Sequence, residues 1–406
     1  MTTSNPAPQR ALRAHRPPRP GDRTAVSPDH LAELSHRLTA RDRWLAHLLL
    51  EHRVLTSTQI VQLGFGVPRT ANLRLAKLYQ WRVIDRFQPY AQHGASPMHY
   101  VLDLAGAHIL AAGWGLTPDD LGYRHDRALG IGHSLHLAHA VATSGIYTAL
   151  VAIARHSGQH SGEHAQASRR VTAWWSESRC ARYFGAHVRP DGYGRWHEAG
   201  SSGSSDVEFF LEYDFGTEPL AKVAGKLADY HRLAHATELV TPVLFWFPSH
   251  EREDNGRAVL ATALADLGAP PGHPDGLVPV ATTSSLPPDP SIPANRAAAS
   301  AAVPDSPAGP RWLPLIPAAV ALARMRPSAG RLRLAQLGGV WPTRGRPVVA
   351  ANGLPDAAAI AAPAGRTGPA RSGRSSTPAA GSWPAPAAMP PDPNRRDASR
   401  GPSVAA

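Results

Sequence analysis

The sequence predicts a mixed α/β protein of the α+β type, with two folded domains between two disordered tails. Residues 39–116 hold three short helical patterns followed by two strand patterns. Residues 130–282 show the order helix, three strands, helix, strand, helix and strand. Residues 1–38 and 283–406 are rich in Pro, Arg and small residues and lack apolar periodicity, so they bury too little surface to offset the cost of ordering.

Composition excludes several classes of protein. The formal net charge is +11, and the positive charge concentrates in residues 39–102 and in the two tails. This distribution suits contact with phosphate, although a general bias toward arginine is an alternative cause of the charge in the tails. The single cysteine, Cys180, excludes an internal disulfide framework and a cysteine-rich zinc site. We find no secretory signal and no apolar run of about 20 residues, so we expect a cytoplasmic protein without a membrane partner.

The first domain starts with a helix that Thr39 caps, with Asp42 three residues further on. Thr56 caps a second helix, and Pro68 suits the first turn of a third. The apolar positions of the third helix are Leu73, Leu75, Leu78 and Trp81. Two strand patterns around a turn rich in Gly, Ser and Pro then predict a β-hairpin.

Three short helices followed by a β-hairpin is the order of a winged helix-turn-helix. In that architecture the third helix enters the major groove of double-stranded DNA, and the hairpin reaches the adjoining backbone. Arginine can contact guanine or clamp phosphate, asparagine can read adenine, and lysine suits phosphate. The alternatives are a protein-binding domain or a solvated face. The predicted DNA-binding residues are Arg69, Thr70, Asn72, Arg74 and Lys77 on the helix, and His93 and Ser96 at the hairpin tip.

The second domain opens with a long helix that carries His133, His136 and His139 near its start. Their spacing is similar to that of a metal cluster, but the chain has 21 histidines, so surface or packing roles are favoured. Val171–Trp174 indicates a first strand. His187–Pro190 indicates a second strand that ends in Pro-Asp.

The segment SSDVEFFLEYDFGTE alternates with a period of two, so Glu212 and Asp214 are expected on one face of a strand. The helix after it carries Lys222 and Lys226, four residues apart and therefore on one face. They are two of only three lysines in the chain.

This element order resembles the αβββαβ core of the PD-(D/E)xK nuclease-like, or restriction-endonuclease-like, fold. The resemblance matches Pro190-Asp191 to the Pro-Asp element and Glu212 to the acidic residue that follows. Asp214 stands where that pattern has a lysine, so Lys222 or Lys226 would supply the lysine from the next helix. Glu177 would be an accessory acid.

Hydrolysis of a phosphodiester needs Mg²⁺ or Mn²⁺ held by oxygen ligands, which lowers the pKa of the attacking water. The predicted metal ligands are Asp191, Glu212 and Asp214, with Lys222, Lys226 and Glu177 as further candidate catalytic residues. The alternative is a surface strand whose acids pair with the lysines.

The runs Arg189–Gly194 and Phe210–Glu218, with Lys226 and Tyr230 downstream, resemble the replication-relaxation family of actinobacterial plasmids and mobile elements. The resemblance covers about residues 39–270. It implies a DNA-directed role in plasmid replication and DNA relaxation. Two functions stay open: metal-dependent nicking of DNA, or a non-catalytic replication accessory factor or transcription regulator. We expect Tyr213 and Tyr230 to serve in packing.

Overall fold

The computed structural model describes residues 15–16, 23–89, 96–159, 168–200, 203–237, 240–268, 278–285, 306–315 and 330–340. Within these residues the chain forms two β-sheets, of four and six strands, with helices packed on both. This mixture of helix and strand confirms the α+β class.

The four-stranded sheet and its helices occupy the first part of the chain. Its strands are β1 (His15–Arg16), β2 (Leu55–Thr56), β3 (Ile84–Pro89) and β4 (His99–Leu102), in the antiparallel order β1-β3-β4-β2. The helices are α1 (Pro28–Arg37), α2 (Ala40–His52), α3 (Ser57–Gly64), α4 (Pro68–Gln80) and α5 (Leu104–Gly113). As the sequence predicts, Thr39 and Thr56 cap helices, and the structure shows a capping box at each of them.

Helix α4 buries Ala71, Leu75, Leu78 and Tyr79, which share one face of a 3.6-residue repeat. The expectation that Leu73 faces the core is wrong, since its side chain is 63% exposed. Leu73 lies two residues before Leu75, which turns it roughly 200° away around the helix axis. The face of α4 that looks away from the core therefore contains a large apolar side chain.

The six-stranded sheet begins after a short linker of helices. Its elements are α6 (His125–Gly130), a 3-10 turn (Ile131–His133), α7 (Leu137–Gln159), β5 (Ser168–Ser176), α8 (Glu177–Phe184), β6 (Gly192–Gly200), β7 (Gly203–Tyr213), α9 (Leu220–Thr237), β8 (Val243–Phe247), α10 (His250–Leu267), β9 (Val280–Ser284), β10 (Leu313–Leu315) and α11 (Leu334–Val340). Strands β5, β6 and β7 are antiparallel, β7, β8 and β9 are parallel, and β10 returns antiparallel to β9. The parallel connections run through α9 and α10.

Alternate residues of β7 face the two layers of this sheet. Phe209 and Leu211 pack on the side of α7, whereas Phe210 packs on the side of α9 and α10. Glu212 follows in the same alternation and reaches α9. Period-two burial on a sheet covered on both faces thus directs this carboxylate toward the crossover helix.

The expected second strand over His187–Pro190 is wrong, because β6 begins later, at Gly192. Proline has no N–H to donate to a strand ladder, so Pro190 disfavours pairing. The backbone N–H of Asp191 donates to the Leu211 carbonyl at 3.1 Å and is the first link to β7. Asp191 therefore lies at the beginning of a strand, next to the end of β7.

The expectation that the two tails are wholly disordered is wrong for the parts that the structure describes. Helix α1 buries Leu34 in the core. In the other tail, β10 extends the sheet, Trp312 is 1% exposed, and Leu334 and Leu337 of α11 are buried. Composition averaged over a long Pro- and Ala-rich tail conceals short segments that carry enough apolar side chains to pack.

Contacts between α3 and α7 join the two halves of the described chain. Gln59 Nε2 donates to the Val141 carbonyl at 2.7 Å, and Arg155 donates to the Gln62 carbonyl at 2.9 Å. A third link joins α2 to β5, where the Glu51 carboxylate accepts the backbone N–H of Ser176 at 3.0 Å.

Helix α7 is, over Leu137–Ser157, long and apolar enough to cross a membrane by length and composition alone. The expectation that the chain holds no such segment is therefore wrong. Here the helix packs against α3 and β5, with Leu150 buried, and the buried Thr148 hydroxyl donates to Gln62. The buried core helix of a globular domain meets the same criterion.

Candidate functional site

Two buried carboxylates lie side by side where β6 begins and β7 ends. The register pairs Gly192 with Leu211, so Asp191 is next to Glu212. Asp191 is 7% exposed and Glu212 is 2% exposed. Burial raises the pKa of Glu212 to about 7, and the neighbouring charge of Asp191 adds to this effect. The structure thus brings together two of the three predicted metal ligands.

Helix α9 supplies the partners of Glu212. Lys226 Nζ lies 2.5 Å from Glu212 Oε2, and the Tyr230 hydroxyl donates to Oε1. Lys226 and Tyr230 are four residues apart and therefore lie on one face of the helix. Burial lowers the pKa of Lys226, but the charges of Glu212 and Asp191 outweigh it and raise that pKa above its usual value. The lysine therefore stays charged and offsets part of the repulsion between the carboxylates.

The carboxylate of Asp191 has two partners of its own. Its Oδ2 accepts the backbone N–H of Tyr213 at 2.7 Å, and its Oδ1 lies 3.0 Å from Nε2 of His139 on α7. Burial lowers the pKa of His139. The hydrogen bond from His139 to Asp191 and the negative charge of Asp191 together raise it by more, so the net shift is upward. The site therefore consists of two carboxylates, one lysine, one tyrosine and one histidine.

Two of the other predicted site residues lie apart from this group. Asp214 follows the end of β7 and pairs with Arg252 of α10. Arg252 Nε bonds to Asp214 Oδ2, and Arg252 Nη2 lies 3.2 Å from Asp214 Oδ1. The Lys222 side chain is 67% exposed and pairs with Glu218 at 2.5 Å. Of the two candidate lysines, Lys226 is the one that reaches the carboxylates.

Glu177 lies on a cleft that also reaches Asp191. It is the first residue of α8, and its side chain is exposed. The cleft, of about 170 Å³, lies between the end of α2, the start of α7 and the junction of β5 with α8. Glu177, His136 and Asp191 contribute to its walls. Glu177 and Asp191 thus line the same cleft.

The donor set at Asp191 and Glu212 fits a hard divalent cation, which prefers carboxylate oxygens. Asp214, the third predicted ligand, is occupied by Arg252 instead. A metal at this site would therefore be held by Asp191 and Glu212, with Lys226 beside them.

A different acidic group, Asp85, Asp103 and His125, has ligand atoms within 4.8 Å of one another. Arg23 bridges the two aspartates, with one nitrogen 3.0 Å from Asp85 and another bonded to Asp103. Arg82 lies 3.4 Å from Asp103 as a second cation. The arginines neutralise these buried acids, so the group acts as an ion-pair network that ties the N-terminal segment to the hairpin.

The predicted DNA-binding residues fall into two groups on α4. Arg69, Thr70, Asn72 and Lys77 are exposed, and within the described part of the chain neither Arg69 nor Lys77 makes an ion pair. Arg74, by contrast, donates from Nε to the buried Asp42 at 2.8 Å. Its guanidinium therefore links α4 to α2.

The hairpin residues are placed only in part. The Ser96 carbonyl accepts a hydrogen bond from Gln88 Nε2 at 2.6 Å, which ties the second arm of the hairpin to the first. His93 lies outside the described residues.

Sequence reasoning missed the roles of Tyr230 and His139. Tyr230 could have been found, because it stands one helical turn after Lys226 on the same face. His139 gave no distinguishing signal, since three histidines at three-residue spacing leave open which one faces the sheet.

A family model described as replication-relaxation matches residues 45–244. The matched region runs from within α2 to the start of β8, so it includes the exposed face of α4 and the side chains around Asp191 and Glu212. No curated protein and no solved structure matches the chain.

Proposed function

We propose that this chain, whose residues 45–244 match the replication-relaxation family to which it belongs, is a cytoplasmic protein that binds double-stranded DNA in the replication or relaxation of a plasmid or mobile element. The observation that carries this proposal is the exposed face of α4. Arg69, Leu73 and Lys77 are spaced by four residues and so form one stripe along the helix. Two cations on one exposed helical face, neither of which makes an ion pair with another described residue, suit two neighbouring phosphates.

The arrangement around α4 supports a winged helix-turn-helix. Helices α2, α3 and α4 are followed by the antiparallel pair β3–β4, with β2 joined to β4. In such a domain the third helix enters the major groove, where Asn72 can read adenine and Leu73 can contact a thymine methyl group. The hairpin would then contact the backbone beside that groove.

Binding of a 30-base-pair duplex across a salt series tests this proposal. We expect the double variant Arg69→Gln, Lys77→Gln to bind more weakly. The slope of log affinity against log salt concentration should flatten by about 1.8 units, about 0.9 for each of the two lost phosphate contacts. Arg127→Gln, at an exposed position on α6, is the matched control and should leave the slope unchanged. Equal slopes for wild type and the double variant would refute the role of α4.

A second candidate function, cleavage of a DNA strand, is favoured by the convergence of Asp191, Glu212 and Lys226. The strands and helices from α7 to β8 follow the αβββαβ order except that the short helix α8 lies between β5 and β6. Asp191 directly precedes β6, Glu212 lies on the neighbouring strand β7, and the lysine lies on the crossover helix. Mg²⁺ or Mn²⁺, when bound, would neutralise charge on the phosphate and lower the pKa of attacking water. The protein's own share is to hold the two carboxylates together and to place the Lys226 ammonium beside them.

A supercoiled plasmid incubated with Mg²⁺ or Mn²⁺ tests for cleavage. We expect nicked or linear product from the wild type, and at least a hundredfold less from Asp191→Asn and from Glu212→Gln. Asp206→Asn, an exposed position on β7, is the control and should cleave normally.

If all these proteins shift the plasmid but leave it intact, the chain is a non-catalytic accessory factor or regulator. The hydrogen bonds already made by both carboxylates favour that alternative, since they hold the acids in place without an ion.

A further inference from the structure

The backbone at Arg53 adopts a conformation that L-amino acids rarely take. Its φ is 68° and its ψ is −40°, and the Val54 N–H donates to the His52 carbonyl at 2.8 Å. This is a γ-turn with a positive central φ, which is rare and strained. Strain of this kind costs on the order of 1–3 kcal/mol and persists only where the surroundings fix the chain.

The residues on either side fix the turn. His52 is 6% exposed, its ring stacks on Tyr147 at 4.9 Å, and its Nδ1 lies 3.2 Å from the Ser144 hydroxyl. Val54 is 0% exposed. Because His52 and Val54 are both held in the interior, Arg53 between them lies at the surface. A glycine at this position would adopt the positive φ at no steric cost.

Arg53 lines the cleft that also reaches Asp191 and Glu177. Arg53 is exposed, and within the described residues its guanidinium has neither a hydrogen bond nor an ion pair. Burial lowers the pKa of His52 to about 4, so that neighbour is neutral near pH 7. Arg53 is therefore a permanent positive charge in a cleft with acidic walls.

The carboxylates of Glu177 and Asp191 would repel a phosphate in this cleft unless a cation bound the phosphate there. A guanidinium presents two parallel N–H donors that match two phosphate oxygens, and it stays charged at any physiological pH. We propose that Arg53 binds a backbone phosphate of the DNA strand that enters this cleft toward Asp191. This inference rests on the proposed DNA binding and adds a second contact region, separate from the exposed face of α4.

The test measures binding of the 30-base-pair duplex and of a 12-nucleotide single strand in buffer without divalent ions, where no cleavage occurs. We expect Arg53→Gln to lower affinity several-fold and to flatten the salt slope by about 0.7 to 0.9 unit, the loss of one phosphate contact. Arg53→Lys keeps the charge and should retain the slope. Arg127→Gln is again the control.

A stability measurement guards against misfolding as the cause. Arg53→Gly relieves the positive φ, so it should unfold at the same or a higher temperature than the wild type while binding as weakly as Arg53→Gln. This inference alone is overturned if Arg53→Gln and Arg127→Gln have the same salt slope while the double variant Arg69→Gln, Lys77→Gln still binds DNA weakly. Absence of binding by the wild type would instead overturn the proposed function.

Discussion

Glu212 is an acid in a place that favours its protonated form. Burial is the largest cause, followed by the charge of Asp191, while Lys226 and Tyr230 act in the opposite direction. The balance leaves a carboxyl that titrates near neutrality, with a pKa of about 7 against an ordinary 4.5. A group of this kind makes the stability of the protein depend on pH.

The sign of that dependence follows from linkage. Below pH 4.5 the carboxyl is protonated in the folded and the unfolded chain alike, and its stabilising contribution is fully present. As the pH rises toward 7, the unfolded chain loses the proton before the folded chain does. We expect the free energy of unfolding of the metal-free wild type to fall relative to Glu212→Gln over this range, by on the order of 3 kcal/mol.

Urea unfolding in EDTA at pH 4.5 and at pH 7 measures the effect. Glu208→Gln, on the same strand but half-exposed, is the control and should run parallel to the wild type. Parallel curves for Glu212→Gln and wild type would mean that Lys226 fully compensates the burial of the acid.

Single residues were predictable where chemistry and spacing agree. Asp191, Glu212 and Lys226 stand out because Pro-Asp, the alternation of a strand and a scarce lysine each restrict their positions. His139 and Arg53 were not predictable, since one depends on the rotation of a helix and the other on a backbone turn between two buried neighbours. Both are tertiary properties with no local sequence signal.

At the scale of elements, α4 separates two roles on two faces. The pair of Arg74 with Asp42 holds α4 to α2, while Arg69 faces solvent. Periodicity predicted the helix and two of its four buried positions, Leu75 and Leu78, but could not tell which arginine was structural. That distinction depends on the buried acid of a neighbouring helix.

Arg74→Gln and Arg69→Gln form a matched pair that tests this separation. Arg74→Gln leaves Asp42, which is 2% exposed, without its cation, so we expect the free energy of unfolding to fall by about 2 kcal/mol. Arg69→Gln should change it by less than about 0.5 kcal/mol. Chemical denaturation measures both, and similar values for the two variants would contradict the assignment.

Across the whole molecule, the described segments after residue 305 belong to the fold. Trp312 packs edge-on against Trp246, with ring centres 5.9 Å apart, and its Nε1 donates to the Pro307 carbonyl at 2.8 Å. The sequence indicated the order of the central elements, but it could not show that a Pro- and Ala-rich tail returns to the sheet. The pairing of β10 with β9 is a long-range contact that composition does not encode.

Trp312→Ala tests this contribution. Removing a buried indole creates a cavity, and we expect the free energy of unfolding to fall by about 3–5 kcal/mol. Leu135→Ala removes a side chain that is 46% exposed and should have an effect below about 0.5 kcal/mol. An equally small effect of Trp312→Ala would show that the tail contributes nothing to stability.

The hydrogen bonds from α3 to α7 and from α2 to β5 have a geometric consequence for the proposed cleavage. They fasten α2 and α3, which pack against the helix that would recognise DNA, to the domain that carries the carboxylates. The distance between the two sites would then be fixed, so any cut would fall a constant number of base pairs from the bound sequence. Mapped ends should form one sharp band rather than a spread.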